Sequence, residues 1–317
     1  MRLFAMYLAA LLAVASFGCS KQAAPAEKDG TKIRVLCSTY PIYLFTRTVA
    51  AGCKNLQVDL MIPAGMGCPH DYALTPQDMQ KIATADVFVA NGLGLEDFLG
   101  PTFKNANPRV KVIDTSAGIG DLIQIKEETS PDAATHEGHH HHGPNPHLFA
   151  APRMAARLVG NIGEALARTD AAEAGLFHHN AEAYAAKLNQ LADDFAAELK
   201  PAASRKIVTE HAVFDYLARD CALAVVAVVE ENPGQEPAAS EMLELVKTIK
   251  SSGAVALFTE PQYPAKVGET IAREAGIPLA TLDPATTGPA NPPADYYEKT
   301  MRANLETLKK LLVAGTK

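Results

Sequence analysis

Two series of short apolar runs, each alternating with helix-like stretches, constrain the fold of this 317-residue chain more than any other feature. The first series occupies residues 33–38, 56–62, 87–90 and 110–114, and the second occupies 206–209, 223–229, 254–259 and 278–282. Strands that alternate with helices are typical of parallel βαβ units. We therefore predict an α/β fold with two lobes, each built on a four-stranded parallel sheet flanked by helices.

A long helical stretch at residues 176–200 separates the two series. Its apolar residues run from Tyr184 to Leu199 at spacings of three and four, which forms one stripe, and Pro201 ends it. The pattern predicts one long helix joining the lobes. A single eight-stranded α/β barrel has the same number of strands, but the long loop and helix in mid-chain argue against it.

The first residues have the composition of an export signal. Arg2 precedes an apolar run that is too short to span a membrane, and residues 1–19 therefore predict a signal peptide. The end of this segment, Ser16-Phe17-Gly18-Cys19, resembles the box at which bacterial lipoproteins are lipidated on the cysteine. Simple secretion with an unmodified Cys19 is the alternative. Residues 20–31 predict a flexible tether.

The composition of the remaining chain excludes some partners. The chain has 29 basic and 36 acidic residues, a net charge of −7 and no Trp, and it has no basic patch, so we expect no binding to nucleic acid. No later segment is apolar over the length of a membrane span. We expect a monomer in the periplasm or on the outer face of the cell membrane, in contact with the membrane only through a lipid anchor.

Four residues that follow predicted strands or their loops suit a metal ion. His70, His147, His211 and Asp283 are far apart in the sequence, but the carboxyl ends of parallel strands bring such residues together. Three imidazoles and one carboxylate form a tetrahedral set for Zn²⁺. Asp283 could instead cap a turn, which would leave water as the fourth ligand. Mn²⁺ or Fe²⁺ could also bind.

A histidine-rich loop at residues 127–146 precedes His147. Histidine-rich tracts are a compositional sign of metal handling, and we interpret this one as a low-affinity metal collector, with a solvated polar loop as the alternative. The candidate residues in this loop are His136, His139, His140, His141 and His142. The predicted domains are therefore a metal-binding lobe at 32–175 that carries this loop, a linking helix at 176–200, and a second metal-binding lobe at 201–317.

Four cysteines remain when Cys19 is set aside. Cys37, Cys53, Cys68 and Cys221 would permit two disulfides in any of three pairings in an exported protein. Cys68 stands two residues before His70, so a role as a soft metal ligand is open, although a disulfide or a buried thiol is the more common reading.

Several separated motifs in this chain resemble one known family, the zinc/manganese-specific solute-binding proteins of ABC importers, which form the ZnuA-like group. The motifs are Ser38-Thr39-Tyr40-Pro41-Ile42, Pro69-His70-Asp71-Tyr72, Thr75-Pro76-Gln77-Asp78, Asn91-Gly92-Leu93-Gly94-Leu95-Glu96, Asn145-Pro146-His147-Leu148-Phe149, Glu236-Pro237-Ala238-Ala239 and Met301-Arg302-Ala303-Asn304. The resemblance covers residues 33–312.

The resemblance implies two lobes bridged by a rigid helix, with the metal in the cleft between them. It also implies that His70, His147, His211 and Asp283 are the ligands. The chain departs from the family at Asn145, where Asp is usual, and at Phe149, where Trp is usual. These departures concern the surroundings of His147 and not the ligand itself.

Each ligand histidine needs an acceptor for its second ring nitrogen, and Glu210 and Glu260 are the candidates. We expect a binding protein that captures a divalent metal, most consistently zinc, and delivers it to an ABC permease. A secreted zinc-dependent hydrolase is the alternative, but the chain has no HExxH motif, and a catalytic zinc site would keep a position open for water. We therefore expect no enzymatic activity. An adhesin has no support in these residues.

Overall fold

The computed structural model describes residues 32–67, 72–125, 143–230 and 237–314. Several predicted features lie outside these ranges. They are the signal peptide at 1–19 with Cys19, the tether at 20–31, Cys68, His70, and the candidate metal collector with His136, His139, His140, His141 and His142.

Eight strands in the described residues form two separate parallel sheets. The first contains β1 (Ile33–Cys37), β2 (Leu56–Leu60), β3 (Val87–Ala90) and β4 (Lys111–Asp114) in the order β2-β1-β3-β4. The second contains β5 (Lys206–Thr209), β6 (Ala224–Val228), β7 (Ala256–Thr259) and β8 (Leu279–Thr281) in the order β6-β5-β7-β8. The predicted α/β fold with two four-stranded parallel sheets is confirmed, and the barrel alternative is wrong.

Helices connect these strands and flank both sheets. In the described ranges they are α1 (Tyr40–Val49), α2 (Pro76–Thr84), α3 (Gly100–Ala106), α4 (Pro152–Thr169), α5 (Ala174–Glu198), α6 (Asp215–Asp220), α7 (Ala239–Ser252), α8 (Lys266–Ala275) and α9 (Tyr296–Leu308). The longest is α5, with 25 residues, and it buries the stripe that begins at Tyr184. None of the helices described is long and apolar enough to cross a membrane.

Alternate residues of each strand face opposite sides of the sheet, as the pleat requires. On β1, Val35 and Cys37 face one buried cluster, whereas Leu36 faces another. On β5, Ile207 joins the same cluster as Val35, whereas Val208 faces a third. One face of each sheet therefore contributes to a single cluster, which we call the shared core.

The shared core also contains the buried faces of α1, α4, α5 and α9, with side chains such as Phe45, Ile162, Leu188 and Met301. On their outer faces the sheets have separate clusters, which α2 and α3 complete on the first sheet and α7 and α8 complete on the second. Lys32–Lys317 accordingly forms one compact unit in which the same helices seal both sheets.

The start of α2 follows directly from its sequence. Thr75 accepts a hydrogen bond from the backbone of Asp78, and the Asp78 carboxylate accepts one from the backbone of Thr75. This reciprocal capping box satisfies two of the backbone N–H groups that a helix start leaves unpaired. Pro76 occupies the first turn, where its missing N–H costs nothing.

A loop at residues 284–293 reaches from the second sheet to the first lobe. The backbone N–H of Gly288 donates to the carbonyl of Ala64 at 2.9 Å, and the Tyr40 hydroxyl donates to the carbonyl of Pro289 at 2.8 Å. A Cβ atom at Gly288 would overlap the Tyr40 hydroxyl, so the close approach requires glycine. The two lobes are therefore hydrogen-bonded to each other beside the segment that follows Asp283.

Three of the four cysteines considered for disulfides are free thiols. They are Cys37, Cys53 and Cys221, so the option of two disulfides is wrong. Burial raises the pKa of the Cys37 thiol to about 12 and that of the Cys221 thiol to about 12. These two side chains behave as small apolar residues of the shared core.

Two glycines of α4 provide a test of how closely α4 and α5 approach. A Cβ atom at Gly163 would lie 2.5 Å from the Cβ atom of Ala181 in α5, whereas nothing lies within 4 Å of one at Gly160. We expect Gly163→Leu to lower the free energy of unfolding by about 1–3 kcal/mol or more, because the core is overpacked. Gly160→Leu should raise it by up to about 0.7 kcal/mol, because Leu favours helix over Gly.

Urea unfolding of both variants at one pH measures this difference. Similar changes in the unfolding midpoint at the two positions would contradict the close contact between α4 and α5.

Candidate metal-binding site

His147 and His211 face each other although 64 positions separate them in the sequence. His147 precedes α4 and His211 follows β5, and their ring centroids are 5.1 Å apart with the ring planes at 76°. Only 3% of His147 and 2% of His211 is exposed. Two imidazoles that meet in a buried position are suited to share one metal ion.

The backbone around His147 is fixed from two directions. On one side, the Asn91 side chain donates to the carbonyl of Pro146 at 2.9 Å. On the other, the hydroxyl of Tyr216 donates to the carbonyl of Asn145 at 2.8 Å. These bonds hold the residues just before His147 between the first sheet and α6.

The Asn145 side chain holds the His147 ring. Its Oδ1 accepts a hydrogen bond from the His147 backbone N–H at 3.0 Å and lies 2.8 Å from the ring Nδ1. Its Nδ2 donates to the carbonyl of Ala212 at 2.7 Å and to the carboxylate of Asp215 at 3.1 Å. The Asn that departs from the family pattern thus still supplies an acceptor to the ring, as a neutral amide.

The His211 ring lies against a carboxylate. Its Nδ1 is 2.5 Å from Oε1 of Glu260, a residue that is 1% exposed, and Gln262 donates to the other carboxylate oxygen at 2.5 Å. Of the two acceptors expected from the sequence, Glu260 therefore contacts a candidate ligand histidine. A carboxylate beside Nδ1 favours the tautomer that leaves Nε2 available for a metal.

Glu210, the other expected acceptor, has a different environment. Within the described part of the chain, neither of its carboxylate oxygens has a hydrogen-bond partner, although the residue is 1% exposed. Burial raises its pKa to about 8, and the negative charges of Glu230 and Glu260 raise it further in the same direction. A carboxyl group with a pKa of about 8 is mostly protonated at neutral pH, so Glu210 adds little negative charge next to His211.

The backbone of Asp283 is clamped by α9. The Asp283 N–H donates to Asn304 Oδ1 at 2.9 Å, and Asn304 Nδ2 donates to the Asp283 carbonyl at 2.7 Å. One carboxylate oxygen accepts from the N–H of Ala285 at 2.8 Å. Burial raises the pKa of Asp283, and the charge of Glu260 also raises it.

The structure brings together His147 and His211 but does not complete the set. No three His, Cys, Asp or Glu side chains in the described residues are close enough to hold a metal, so Asp283 does not join the two histidines at coordination distance. His70 lies outside the described residues.

Glu96, in the first lobe, supports the segment before His147 indirectly, through Asn91. Glu96 Oε1 accepts from the Ser38 hydroxyl and from the Asn91 backbone N–H, both at 2.7 Å, and Oε2 accepts from the Gly92 N–H at 3.0 Å. Enclosure of this carboxyl group raises its pKa to about 7, although the three hydrogen bonds oppose the rise. Glu96 therefore fixes the turn from which Asn91 holds Pro146.

Sequence reasoning did not identify Asp215, Asn91 or Glu96 as parts of the site. Burial raises the pKa of Asp215 to about 6, whereas the hydrogen bond from Asn145 and the charge of His211 lower it. The sequence features that could have identified these three residues were their positions alone. Asp215 stands four residues after His211, and Asn91 and Glu96 belong to a motif used only to recognise the resemblance.

Two four-stranded parallel sheets sealed by shared helices, with a long helix between them and two facing histidines, define a two-lobed α/β solute-binding protein. Residues 35–311 match the family described as zinc-uptake complex component A, periplasmic. The chain belongs to this family, and the resemblance drawn from the sequence is confirmed.

Relatives of this chain are named as zinc-uptake or zinc-binding proteins. The chain is 30% identical over 309 residues to the high-affinity zinc uptake system protein ZnuA of Bacillus subtilis, covering 96% of this chain and 95% of that protein. It is 31% identical over 313 residues to the zinc-binding lipoprotein AdcA of Streptococcus pneumoniae, covering 98% of this chain. The chain spans only 61% of the length of that AdcA. The family is a transport component, so the hydrolase alternative has no support.

A solved structure shares this fold. The solute-binding protein FpvC of Pseudomonas aeruginosa in complex with Ni²⁺ superposes with a TM-score of 0.77 at 29% identity, covering 90% of this chain and 98% of that one. FpvC has also been solved in complex with Mn²⁺.

Glu260 gives a direct test of the His211 geometry. We expect Glu260→Gln to weaken Zn²⁺ binding by about 10–100-fold, because a neutral amide orients and polarises the His211 ring less well than a carboxylate. Competition with a chromophoric chelator measures the affinity. Glu244→Gln, at an exposed position on α7, is the matched control. Equal Zn²⁺ affinities for the wild type, Glu260→Gln and Glu244→Gln would show that Glu260 does not support His211.

The raised pKa of Glu96 can be tested by measuring how the stability of the metal-free protein depends on pH. The folded pKa of Glu96, about 7, lies above the ordinary value of 4.5, so the folded state keeps a proton that the unfolded state releases between these values. The contribution of Glu96 to stability therefore falls as the pH rises through this window, by up to about 1.4 kcal/mol per pH unit. Glu96→Gln should remove this slope while lowering stability overall, because its amide cannot accept from Gly92.

Urea unfolding from pH 4.5 to 8 in the presence of a chelator gives both slopes. Asp97→Asn, at the exposed neighbouring position, should keep the slope of the wild type. An unchanged slope in Glu96→Gln would mean that this carboxyl group titrates normally.

Proposed function

We propose that this protein captures Zn²⁺ outside the inner membrane and delivers it to an ABC permease. The observation that carries the proposal is the buried pair of His147 and His211. An oxygen lies beside Nδ1 of each ring, from Asn145 at the first and from Glu260 at the second, and this favours the tautomer whose lone pair on Nε2 can bind a metal. The ion is the cargo of the protein.

His70 and Asp283 complete the proposed ligand set. His70 comes after β2 in the sequence and Asp283 comes after β8, and α/β folds bind their ligands at the carboxyl ends of parallel strands, so we expect both residues to take part in the site. Two ligands would then come from each lobe, and the ion would join the lobes across the cleft. Coordination by Asp283 requires its side chain to shift toward the histidines when the metal binds, with water as the fourth ligand otherwise.

Zinc is favoured over manganese and iron by the type of donor. Three imidazoles suit a borderline-soft ion, whereas Mn²⁺ prefers carboxylate and carbonyl oxygens. The names of the Bacillus and Streptococcus relatives refer to zinc. Mn²⁺ and Fe²⁺ remain the alternative cargo.

The location and partners are also part of the proposal. A signal peptide at 1–19, lipidation of Cys19 and a tether at 20–31 would hold a monomer at the outer face of the membrane, close to its permease, and the AdcA relative is named a lipoprotein. The working parts would be a first lobe at 32–175, a linking helix at 176–200 and a second lobe at 201–317. The histidine-rich loop at 127–146 would collect metal for the main site.

The ligand histidines should be far more sensitive to substitution than other histidines. We expect His70→Ala, His147→Ala and His211→Ala each to weaken Zn²⁺ binding by orders of magnitude, because each leaves a three-ligand site. Asp283→Ala should cost less, since water can replace a carboxylate. Elemental analysis of the purified protein, followed by chelator competition with Zn²⁺, Mn²⁺ and Fe²⁺, measures the identity and affinity of the cargo.

Two controls separate the main site from other metal binding. His178 lies half-exposed on α5 beside Glu164, and His178→Ala should keep the wild-type affinity. Deletion of residues 137–142 should remove weak additional binding and keep one tight site. Wild-type affinity in any of the three ligand variants would remove that histidine from the proposed set, and tighter binding of Mn²⁺ than of Zn²⁺ would overturn the proposed cargo.

A further inference from the structure

The orientation of the Asn145 amide is determined by its four neighbours. Its oxygen faces the backbone N–H of His147 and the ring Nδ1, and its nitrogen faces the carbonyl of Ala212 and the carboxylate of Asp215. A flipped amide would turn two N–H groups toward a backbone donor and its oxygen toward two acceptors. Both acceptors on the nitrogen side therefore select a single orientation.

This orientation in turn selects one tautomer of His147. An amide oxygen has no hydrogen to donate, so the 2.8 Å contact is a hydrogen bond only when His147 Nδ1 carries the proton. The lone pair of neutral imidazole then resides on Nε2. The ring is fixed by the same bond, because His147 is buried and its backbone N–H is bound to the same oxygen.

Asp215 is the only charged group among these four neighbours. It begins α6, four residues after His211, and its carboxylate contacts the Asn145 amide at 3.1 Å. A charged acceptor forms a stronger hydrogen bond than the neutral carbonyl of Ala212. Removing the carboxylate leaves the carbonyl of Ala212 as the one acceptor on the nitrogen side of the amide.

We propose that Asp215 is a positioning residue of the metal site, which acts through Asn145 to hold the His147 ring in the tautomer whose lone pair lies on Nε2. This role rests on the proposed function of metal capture. It connects the two histidines, because Ala212 and Asp215 follow His211 in the sequence while Asn145 precedes His147. A change at Asp215 should therefore alter the site although this side chain has no place among the ligands.

Substitutions of different size test the role. We expect Asp215→Ala to weaken Zn²⁺ binding by about 10–100-fold, the usual cost of losing a group that orients a ligand. Asp215→Asn should cost less, because its amide oxygen can still accept from Asn145. Asp220→Ala, at the other end of α6, is the matched control and should keep the wild-type affinity.

Exchanging the amide and the carboxylate between positions 145 and 215 tests for recovery of Zn²⁺ affinity, which a merely structural role of Asp215 would not give. Asn145→Asp alone places two carboxylates together and should weaken binding strongly. Adding Asp215→Asn restores a donor opposite the new carboxylate and should recover part of the affinity. If Asp215→Ala fails to fold by circular dichroism, Asp215→Asn and this pair of variants decide the question, and absence of any rescue would overturn the role.

A double-mutant cycle with His147→Ala separates positioning from general destabilisation. If Asp215 acts through His147, Asp215→Ala should change Zn²⁺ affinity in the wild-type background and have no further effect in the His147→Ala background. The visible absorption spectrum of bound Co²⁺ should also change in Asp215→Ala, because the geometry of one ligand is altered. If Asp215→Ala lowered Zn²⁺ affinity by the same factor in both backgrounds, or left the affinity at the wild-type value, the proposal would be overturned.

The wild type serves as the reference for the proposed function itself. Failure of the wild type to bind Zn²⁺ would reject the function, whereas normal binding by the wild type and by Asp215→Ala would reject only the role of Asp215.

Discussion

The shared core determines where everything else in this protein lies. One face of each sheet is sealed by the same helices, so the carboxyl ends of the two sets of strands have a fixed relation to each other. Burial of apolar surface is the main favourable contribution to folding, and here a single apolar cluster orients both lobes. His147 precedes α4 and His211 follows β5, and both of these elements contribute to the shared core; the ring centroids of the two histidines are 5.1 Å apart.

The candidate site is held by hydrogen bonds, because buried polar groups need partners. The segment before His147 is bound to the first lobe through Asn91 and to α6 through Asn145, and Glu96 fixes Asn91 in turn. Most of these bonds join side chains to backbone, so they set positions without adding charge at His147. Glu260 contacts the His211 ring, whereas Glu210, whose pKa burial raises to about 8, is mostly protonated at neutral pH and has no hydrogen-bond partner among the described residues.

The sequence was sufficient for the two sheets, because buried parallel strands are continuous apolar runs separated by helical periods. It overestimated β2 and β8, since apolar residues such as Met61 and Ile62 stay buried beyond the end of the strand at Leu60. Glu260 could be anticipated as an acceptor for histidine, whereas Asp215 could not, because its role depends on a contact across 70 positions with Asn145. Such long-range pairs leave no periodic signal in a single sequence. The option of two disulfides also failed, because the count of cysteines carries no information about which side chains are adjacent.

The bond between Gly288 and Ala64 joins two backbones, so it is indifferent to most side-chain changes. The exception is the space beside it, which the hydroxyl of Tyr40 fills and which leaves no volume for a methyl group at position 288. Any larger residue there would have to be accompanied by smaller ones at positions 40 and 296, because the Tyr296 ring would also lie 2.8 Å from the added atom, and the bond from Tyr40 to Pro289 would be lost at the same step. The three positions should therefore be inherited together, and an ancestral route that changed them singly would have passed through a protein whose lobes were less firmly joined.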